Sequence, residues 1–583
     1  MSRDFDTVGV VGLGTMGAGI VEVFARNGVS VVAVEISNSA LDRGRGNLTT
    51  STDRAVTRGK LSPTDRDALH SRVTFAVGLD ALGDVDLVVE AVPERLDLKR
   101  RIFTELDQVC KPAAILATNT SSLSVTEISV ATRRPDQVIG LHFFNPAPVM
   151  KLVEVVRTVV TAPGVVHDVE ALCARLGKVG VTIGDRAGFV ANALLFGYLN
   201  QAVGMVEAGY ASREDVDLAV RLGCGLPMGP FALLDLIGLD TAYEILDTMY
   251  RRGGRDRRHA PAPLLRQMVT AGMLGRKSGE GFYTYERPGS AVVVPDDRTP
   301  AADGVPATSA APDADGARAT VRTVGVVGSG ATAAGLVEVF RRGGFDVVSV
   351  TPAEDGSDRL ARSTAWEQFA RSTAWEQLAD VDLVVEAVPD DLGVKQEIFA
   401  RLDEICRPGV VLATTTATLP VIDIAMATRR PADVLGLHLP GPAPTTRLVE
   451  VVRTIRTGGP AVETVRAVCA ALGKTAVICG DRAGFIVNAL LFPYLNDAIR
   501  MVAGGYSTPD DIDAAMTLGC GYPTGPFELL DTVGLDHALG VQQALYRQSR
   551  EPGLAPVPLL RDLVTAGRLG RETRHGFRDH RGD

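Results

Sequence analysis

The residue best suited to acid–base chemistry in this sequence is His142. Of the eight histidines, only His142 and His438 occupy matching positions in two similar halves of the chain. Glu154 follows His142 by 12 residues. If NPAPVM forms a turn between antiparallel strands, one register sets the two residues opposite each other, with Cβ atoms about 4.5–5.5 Å apart. The carboxylate would fix the imidazole tautomer, which predicts that His142 is a general base. A satisfied core histidine beside an edge carboxylate is the alternative.

A glycine-rich segment near the start of the chain predicts a dinucleotide site. It matches GxGxxG, follows an apolar strand, opens a helix and is succeeded by an acidic residue at the end of the next strand. The glycines allow close backbone approach to a pyrophosphate at the helix N-terminus. The acidic residue would bind the ribose 2′-hydroxyl and repel a 2′-phosphate, which favours NAD over NADP. A βα turn that binds nothing is the alternative. The predicted cofactor-binding residues are Gly12, Leu13, Gly14, Thr15, Met16, Gly17 and Glu35.

The elements that must position these residues alternate between strand and helix. TVGVVG, SVVAVE, DLVVEAV, AILATNT and VIGLHF are apolar runs typical of buried strands, and helix-compatible stretches separate them. This alternation predicts an α/β fold with a doubly wound, Rossmann-like parallel sheet. After about residue 187 the pattern becomes helical, with no convincing strand. The sequence therefore predicts an α/β domain followed by an all-α domain.

The same pattern occurs twice. LVVEAVP is found at 87–93 and 383–389, and GDRAGF at 184–189 and 480–485. The opening VGVVG, at 8–12 and 324–328, shows that the second copy lost 20 residues before Leu383, near a local repeat of ARSTAWEQ at 361–368 and 370–377. The predicted domains are 1–186 (NAD-binding) and 187–287 (all-α) in copy one, a linker at 288–320, and 321–482 (degenerate Rossmann-like) and 483–583 (all-α) in copy two.

Composition excludes several classes of protein. The 583 residues include 60 basic and 70 acidic ones, so a basic nucleic-acid surface is not expected. No apolar stretch is long enough for a membrane span, and the charged N-terminus is not that of a signal peptide, so we expect a cytoplasmic protein. The seven cysteines form no CxxC motif and do not cluster with histidines, so neither a disulfide framework nor a metal site is expected.

Several motifs together resemble the L-3-hydroxyacyl-CoA dehydrogenase family, which includes bacterial 3-hydroxybutyryl-CoA dehydrogenases. They are GLHFFNPAPVMKLVEVV, TNTSSL, GDRAGFVANALL, GLPMGPFALLDLIGLD and GRKSGEGFYTY. The resemblance spans nearly all of 7–286 and, with gaps, 323–577. It implies an oxidoreductase of fatty acid metabolism that uses NAD to interconvert a 3-hydroxyacyl-CoA and a 3-ketoacyl-CoA.

The resemblance also assigns roles to residues. It implies a catalytic His142–Glu154 pair, with Ser121 on the substrate oxygen and Asn192 near the reacting centre. A helix cap and an exposed helix residue are the structural alternatives for Ser121 and Asn192. Further residues implied to contact NAD are Glu94, Lys99, Asn119, Ser121, Asn145 and Lys277. The residues implied to contact the CoA thioester are Ser51, Arg58 and Ser121.

Copy two departs from this pattern where ligands would bind. It retains His438, Glu450, Asn488, Asp390 and Lys395. It has Thr351 for Glu35, Ala333 for Gly17, Thr415 for Asn119, Ala417 for Ser121, Gly441 for Asn145 and Glu572 for Lys277. We therefore expect copy two to be catalytically weak or dead. The family resemblance implies homodimers joined through the α domains. We therefore expect the two copies to form an intramolecular pseudo-dimer, and further homo-oligomerisation stays open.

Three alternatives stay open at this point. The thioester could sit on an acyl carrier protein. The substrate could carry a distal carboxylate, as in 3-hydroxyadipyl-CoA dehydrogenases. The chain could also be a non-catalytic NAD-binding regulatory protein, although the complete set of site residues in copy one argues against this.

Overall fold

An eight-stranded sheet forms the centre of copy one. The computed structural model describes residues 3–297, 321–352, 372 and 374–582. The strands are β1 (Thr7–Val11), β2 (Ser30–Glu35), β3 (Val73–Val77), β4 (Leu87–Glu90), β5 (Ile115–Thr118), β6 (Val138–Phe143), β7 (Leu152–Arg157) and β8 (Val179–Gly184). Their order is β3-β2-β1-β4-β5-β6-β7-β8. The apolar central strands are buried throughout, as expected where helices cover both faces of a parallel sheet.

The pairing of β6 with β7 is antiparallel, whereas the other neighbouring strands of this sheet are parallel. His142 is the register partner of Glu154 in this pair. The turn prediction for NPAPVM and the predicted register are therefore confirmed.

Six helices accompany the strands of the first α/β unit. They are α1 (Thr15–Arg26), α2 (Asn38–Thr57), α3 (Pro63–Ser71), α4 (Leu96–Val109), α5 (Val125–Ser129) and α6 (Pro163–Arg175). The polar helices α2 and α3 each begin after a serine whose hydroxyl accepts a backbone N–H of the first turn. The N-terminus of α1 lies beyond the end of β1, at the point where the strand order reverses between β1 and β4, and ligands of doubly wound sheets bind at such points.

Helices dominate the rest of copy one. They are α7 (Ala191–Glu207), α8 (Arg213–Gly223), α9 (Pro230–Ile237), α10 (Leu239–Arg252) and α11 (Pro263–Thr270). A small antiparallel pair, β9 (Thr284–Tyr285) and β10 (Val293–Val294), follows them. Asp296 then accepts hydrogen bonds from Arg213 and from the Thr284 hydroxyl. Residues 288–297, the first part of the predicted linker, include β10, which pairs with β9, and Asp296, which accepts a hydrogen bond from Arg213 of α8.

Copy two repeats this architecture with one strand fewer among the residues described. Its strands are β11 (Thr323–Val327), β12 (Asp346–Val350), β13 (Leu383–Glu386), β14 (Val411–Thr414), β15 (Val434–His438), β16 (Leu448–Arg453) and β17 (Thr475–Gly480). Its helices are α12 (Ala331–Arg342), α13 (Leu392–Ile405), α14 (Val421–Ala425), α15 (Gly459–Ala471), α16 (Val487–Ala503), α17 (Pro509–Ala514), α18 (Pro526–Val533), α19 (Leu535–Ser549) and α20 (Pro558–Thr565). The strand order is β12-β11-β13-β14-β15-β16-β17, with β15 and β16 antiparallel.

The two copies contact each other through their helical domains. Helix α7 packs against α16, and one continuous hydrophobic core includes residues of both. Helix α8 lies on β16 and β17, while α17 lies on β8. The contacts are reciprocal: Arg186 stacks on Tyr506 at 4.9 Å, and Arg482 stacks on Tyr210 at 4.9 Å. Each copy thus makes the same kinds of contact with the other.

Part of the expected organisation lies outside the described residues. The linker from 298 to 320, the first ARSTAWEQ repeat at 361–368 and the shortened helix pair of copy two all fall there. Among the helices that the structure describes, none has the length and apolar character needed to cross a membrane.

Candidate functional site

His142 and Glu154 form a hydrogen-bonded pair at the end of β6. The His142 Nδ1 lies 2.7 Å from the Glu154 Oε2, and both side chains are buried. The other carboxylate oxygen accepts the backbone N–H groups of Val190 and Ala191, at 3.2 and 3.0 Å, where α7 begins. A helix N-terminus favours negative charge, so it supports the ionised carboxylate. With Nδ1 engaged, Nε2 is the ring atom that can exchange a proton with a ligand.

Two phenyl rings flank the imidazole. The ring of Phe144 lies 4.7 Å from that of His142, and the ring of Phe189 lies 5.6 Å away, measured between centroids. The imidazole is therefore held between an apolar wall on each side and a carboxylate behind it. These contacts restrict the rotation of the imidazole. A general base needs such a fixed orientation if it is to meet the same substrate atom in each turnover.

The glycine loop between β1 and α1 has the shape of a phosphate cradle. Gly12 adopts a φ of +88°, a conformation that side chains rarely take. A Cβ added to Gly17 would collide with the carbonyl oxygen of Gly12, so the helix can approach the loop only without a side chain there. A Cβ added to Gly14 would meet nothing within 4 Å, which leaves open space in front of the first N–H groups of α1. These features fit a dinucleotide pyrophosphate.

Glu35 ends β2 beside this loop. Its carboxylate accepts the backbone N–H of Leu13 at 2.7 Å and that of Ile36 at 3.1 Å. A carboxylate has about four acceptor positions, so two remain for ribose hydroxyls. Its position and charge fit NAD better than NADP.

Glu94 organises the loop that carries Ser121. One carboxylate oxygen accepts the Thr120 hydroxyl at 2.7 Å and the backbone N–H groups of Ser121 and Ser122 at 2.9 and 3.0 Å. Burial alone would raise the pKa of Glu94, but the charge of Lys99 and these hydrogen bonds hold it below its usual range. The Ser121 hydroxyl is 3.2 Å from the same oxygen. Because this oxygen is fully used, Glu94 mainly orients the Ser121 loop in this state.

Lys99, which the resemblance implied to contact NAD, is buried in this structure. Its side chain is 0% exposed, and its ammonium donates to both oxygens of Glu90 at 2.7 and 3.0 Å. The Thr118 hydroxyl donates to the same carboxylate at 2.7 Å. Lys99 also forms a 3.6 Å ion pair with Glu94, which connects it to the Ser121 loop.

Three asparagines lie at different distances from the His142 pair. Asn119 accepts the backbone N–H of Phe143 at 2.8 Å and so ties β5 to the end of β6. Asn145 is exposed on the turn after β6, and that turn packs on α1, where a Cβ added to Gly19 would lie 3.2 Å from Ala147. The turn thereby connects the histidine strand with the cofactor helix. Asn192 is the second residue of α7, next to the N–H groups that hold Glu154.

Three further predicted ligand residues are placed away from the His142 pair. Lys277 pairs with Asp240 near the start of α10. In α2, the Ser51 hydroxyl donates to the buried Glu22 at 2.6 Å, so this hydroxyl is already engaged. Arg58 is exposed at the C-terminal end of the same helix. Ser51 therefore lies in α2, and Arg58 lies at the end of the same helix.

Copy two preserves the buried part of this arrangement. His438 Nδ1 pairs with Glu450, which accepts the backbone N–H groups of Ile486 and Val487 at 2.8 and 2.9 Å. The Asn488 amide lies 3.5 Å from His438 Nε2. A Lys–Glu–Thr cluster is retained as well, with Lys395 Nζ, Glu386 and Thr414.

The ligand-facing part of copy two differs. Ala333 adds a methyl group where Gly17 has none, and Gly328 adopts a φ of +148° instead of the +88° of Gly12. The exposed Thr351 follows β12 and brings no negative charge. Asp390 still accepts the Thr416 hydroxyl at 3.0 Å and the Ala417 N–H at 3.3 Å, but Ala417 has no hydroxyl. The cradle has changed shape and has lost its carboxylate.

Some residues of the site were missed by sequence reasoning. A carboxylate at the end of each apolar LVVE strand, Glu90 and Glu386, would have predicted a buried cation partner, because buried charges are paired. Phe144 and Phe189 gave no comparable signal, since aromatic residues in such segments are usually read as core. No group of histidine, cysteine, aspartate and glutamate suited to hold a metal is found in the described part of the chain.

Models of one protein family match both halves of the chain. The 3-hydroxyacyl-CoA dehydrogenase, NAD binding domain, matches residues 7–186 and 358–482. The 3-hydroxyacyl-CoA dehydrogenase, C-terminal domain, matches residues 188–285 and 484–580. In copy two the match to the NAD-binding domain begins after the altered glycine loop.

Individual relatives agree with these matches. A 3-hydroxybutyryl-CoA dehydrogenase of Mycobacterium tuberculosis is 48% identical over 287 residues, which cover 49% of this chain and all of that protein. A 3-hydroxyadipyl-CoA dehydrogenase of Escherichia coli is 30% identical over 561 residues, which cover 96% of this chain and 98% of that protein. The crystal structure of a 3-hydroxybutyryl-CoA dehydrogenase from Escherichia coli aligns with a TM-score of 0.71 at 27% identity, covering 97% of this chain and 100% of that one.

Proposed function

This chain belongs to the 3-hydroxyacyl-CoA dehydrogenase family and is an NAD-dependent enzyme, and from that premise we propose that copy one carries out the reaction with His142 as general base. The reaction interconverts a 3-hydroxyacyl-CoA and a 3-ketoacyl-CoA. The observation that carries the proposal is the 2.7 Å contact between His142 Nδ1 and Glu154, which leaves Nε2 for the substrate.

His142 accepts the proton of the substrate hydroxyl during oxidation and donates it during reduction. NAD⁺, when bound, supplies the acceptor for the hydride that leaves C3. As the C3 carbonyl forms, Nε2 takes the hydroxyl proton, and Glu154 stabilises the imidazolium that results. The backbone N–H groups of Val190 and Ala191 at the start of α7 hold that carboxylate in place. In the reverse direction the imidazolium returns the proton to the oxygen of the 3-ketoacyl group.

The residues from Gly12 to Gly17 would hold the pyrophosphate, and Glu35 would hold the adenosine ribose. Support comes from the open space before Gly14 and from the two acceptor positions that remain on Glu35. Asn145, on the turn that packs on α1, would complete the cofactor site near His142.

Ser121 and Asn192 would bind the substrate near the reacting carbon. The loop that holds Ser121 is fixed by Glu94, so its hydroxyl can turn from Glu94 towards a substrate oxygen with little reorganisation of the backbone. Asn192 begins the helix that holds Glu154. For the CoA arm, the exposed guanidinium of Arg58 is better placed than Ser51, whose hydroxyl is engaged by Glu22.

We further infer that copy two is not catalytic and serves as the partner of copy one in a pseudo-dimer, with domains divided near 186 and 482. The packing of α7 on α16 and the reciprocal Arg–Tyr stacks support this arrangement. The loss of the Glu35 and Ser121 counterparts supports the absence of turnover in copy two. A linker makes such pairing intramolecular, with an effective concentration on the order of millimolar.

The acyl group has two candidate classes. A relative whose full length matches 49% of this chain is named for a four-carbon substrate, as is the Escherichia coli structure that covers 97% of it. A relative that covers 96% of this chain is named for 3-hydroxyadipyl-CoA, which carries a distal carboxylate. Rates of NADH oxidation decide between them. The substrates to compare are acetoacetyl-CoA, longer 3-ketoacyl-CoA esters, a carboxylated ester and carrier-protein thioesters. If none of these substrates supports NADH oxidation, the proposed function is contradicted.

A further inference from the structure

Copy two touches copy one directly behind the strand pair that holds His142. After α17, one π-helical turn (Ala515–Gly519) packs on β7. Gly519 makes this contact so closely that a Cβ added to it would lie 2.6 Å from Leu152 Cδ2 and 3.3 Å from Phe144 Cε1. The φ of Gly519 is not positive, so its lack of a side chain serves this close approach rather than the backbone conformation.

Phe144 carries this contact to the catalytic histidine. Its ring lies 4.7 Å from the ring of His142 and is tilted by 51°. The phenyl ring therefore contacts both the imidazole of His142 and Gly519 of copy two. A ring displaced by a bulkier residue at 519 would push against the imidazole.

The neighbouring Cys520 also reports how near copy two comes to the pair. Burial and, second, the negative charge of Glu154 raise the pKa of the Cys520 thiol to about 12. Copy two thus contributes to the surroundings of both members of the copy-one pair.

The reciprocal contact is similarly close, but it is made from the last residue of the α-helix α8 and meets different neighbours. Gly223 of copy one approaches copy two so closely that an added Cβ would lie 2.7 Å from Val487 Cγ2, 3.0 Å from Leu448 Cδ2 and 3.3 Å from Pro440 Cγ. Leu448 corresponds to Leu152, but Pro440 replaces Phe144. His438 keeps a ring neighbour in Phe485 at 5.4 Å, and the position of the second ring is taken by the proline.

We propose that Gly519 of copy two is a positioning residue for His142, acting through the ring of Phe144, so that the active site of copy one is complete only with copy two packed behind it. This inference rests on the proposed function, since it assumes that copy one is the active half. It assigns the second copy a role in the reaction although that copy takes no part in the chemistry.

The experiment compares the two glycines in a background in which only copy one can turn over. In His438→Gln, we introduce Gly519→Val or Gly223→Val, with Gly519→Ala and Gly223→Ala as milder versions. Because displacement of a catalytic group by about 1 Å can cost about 100-fold in rate, Gly519→Val should lower kcat by about 10- to 100-fold, and Gly519→Ala by less. The KM for acetoacetyl-CoA and the Kd for NADH should stay within about twofold.

Gly223→Val is the matched control, because it disturbs the same kind of contact and the equivalent leucine. It should leave kcat within about twofold. A second measurement tests the path through the ring: with Phe144→Ala present, Gly519→Val should add little further loss, since contacting residues are non-additive.

Three results would overturn the inference. One is a kcat within twofold of the parent for folded Gly519→Val. Another is an equal loss for both valine variants. The third is full additivity with Phe144→Ala. Failure of the proposed function looks different, because then His438→Gln alone would already be inactive, and the premise that copy one is the active half would fall with it.

Discussion

Copy one and copy two share a strand order, apart from β3. In each copy, a histidine is paired with a carboxylate that lies at the start of a helix. They differ where a ligand would meet the protein. The glycine loop has changed shape, the carboxylate at the end of the second strand is gone, and Ser121 is replaced by Ala417. Buried groups were kept and ligand-facing groups were lost.

Burial explains why copy two would keep its histidine–carboxylate pair even without turnover. Glu450 is fully buried and accepts two backbone N–H groups of α16. Removing one partner of a buried charged pair costs about 3–5 kcal/mol, because the other charge is left without compensation. Replacement of the Glu35 counterpart by Thr351 in copy two leaves no buried charge without a partner. The fold therefore does not oppose this replacement. A catalytic-looking pair in a duplicated domain is therefore weaker evidence of activity than an intact ligand surface.

The largest difference between the copies is expected from the two histidines. His142→Gln removes the base and should lower kcat by about 10²- to 10⁴-fold, the usual contribution of general acid–base catalysis. His438→Gln should leave kcat within about twofold, although it should lower the melting temperature because it disturbs a buried pair. Steady-state NADH oxidation and thermal unfolding measure both. Equal losses of activity would break the distinction between the copies.

The glycine loop should give the next largest effect. Gly17→Ala gives copy one the residue that copy two has at this position, and its methyl group would collide with Gly12. We expect a loss of about 2 kcal/mol in NADH binding, roughly 30-fold in Kd. Ala333→Gly in copy two is the control and should not change the Kd. Titration of NADH fluorescence measures both, and an unchanged Kd in Gly17→Ala would show that the loop difference is unimportant.

Cofactor choice sharpens the comparison at Glu35. Glu35→Thr reproduces the residue of copy two and removes the carboxylate, and hydrogen bonds to charged groups are worth about 1.5–3 kcal/mol. The kcat/KM for NADH should fall by roughly 10- to 100-fold, while that for NADPH should fall less or rise. Equal rates with the two cofactors in the unaltered enzyme would contradict the role of Glu35.

Ser121 should give the smallest effect. Ser121→Ala reproduces Ala417 and removes one neutral hydrogen bond, worth about 0.5–1.5 kcal/mol. The kcat/KM for acetoacetyl-CoA should fall by about 2- to 10-fold, with the Kd for NADH little changed. Ser122→Ala, on the same Glu94-held loop, is the matched control. If Ser122→Ala has the larger effect, Ser122 and not Ser121 donates the hydroxyl that binds the substrate.

Local patterns predicted the parts of the fold that depend on neighbours in sequence. The 142–154 register follows from a turn and two short strands, and the cradle at Gly12 to Gly17 follows from glycine spacing. The packing of Lys99 against Glu90 did not follow, because a resemblance carries residue identities but not burial. The contact of Gly519 with Phe144 joins residues in different copies, and no local periodicity encodes such a distant pairing. The strand at Val293–Val294 is too short to give a pattern at all.

The most direct test of one working site per chain is the stoichiometry of NADH binding. Isothermal titration of the full chain with NADH, repeated with Gly17→Ala, counts the sites and shows which copy holds them. We expect about one NADH per chain, and a Kd roughly 30-fold weaker for that site in Gly17→Ala. Two sites of similar affinity per chain, or a remaining strong site in Gly17→Ala, would contradict this expectation.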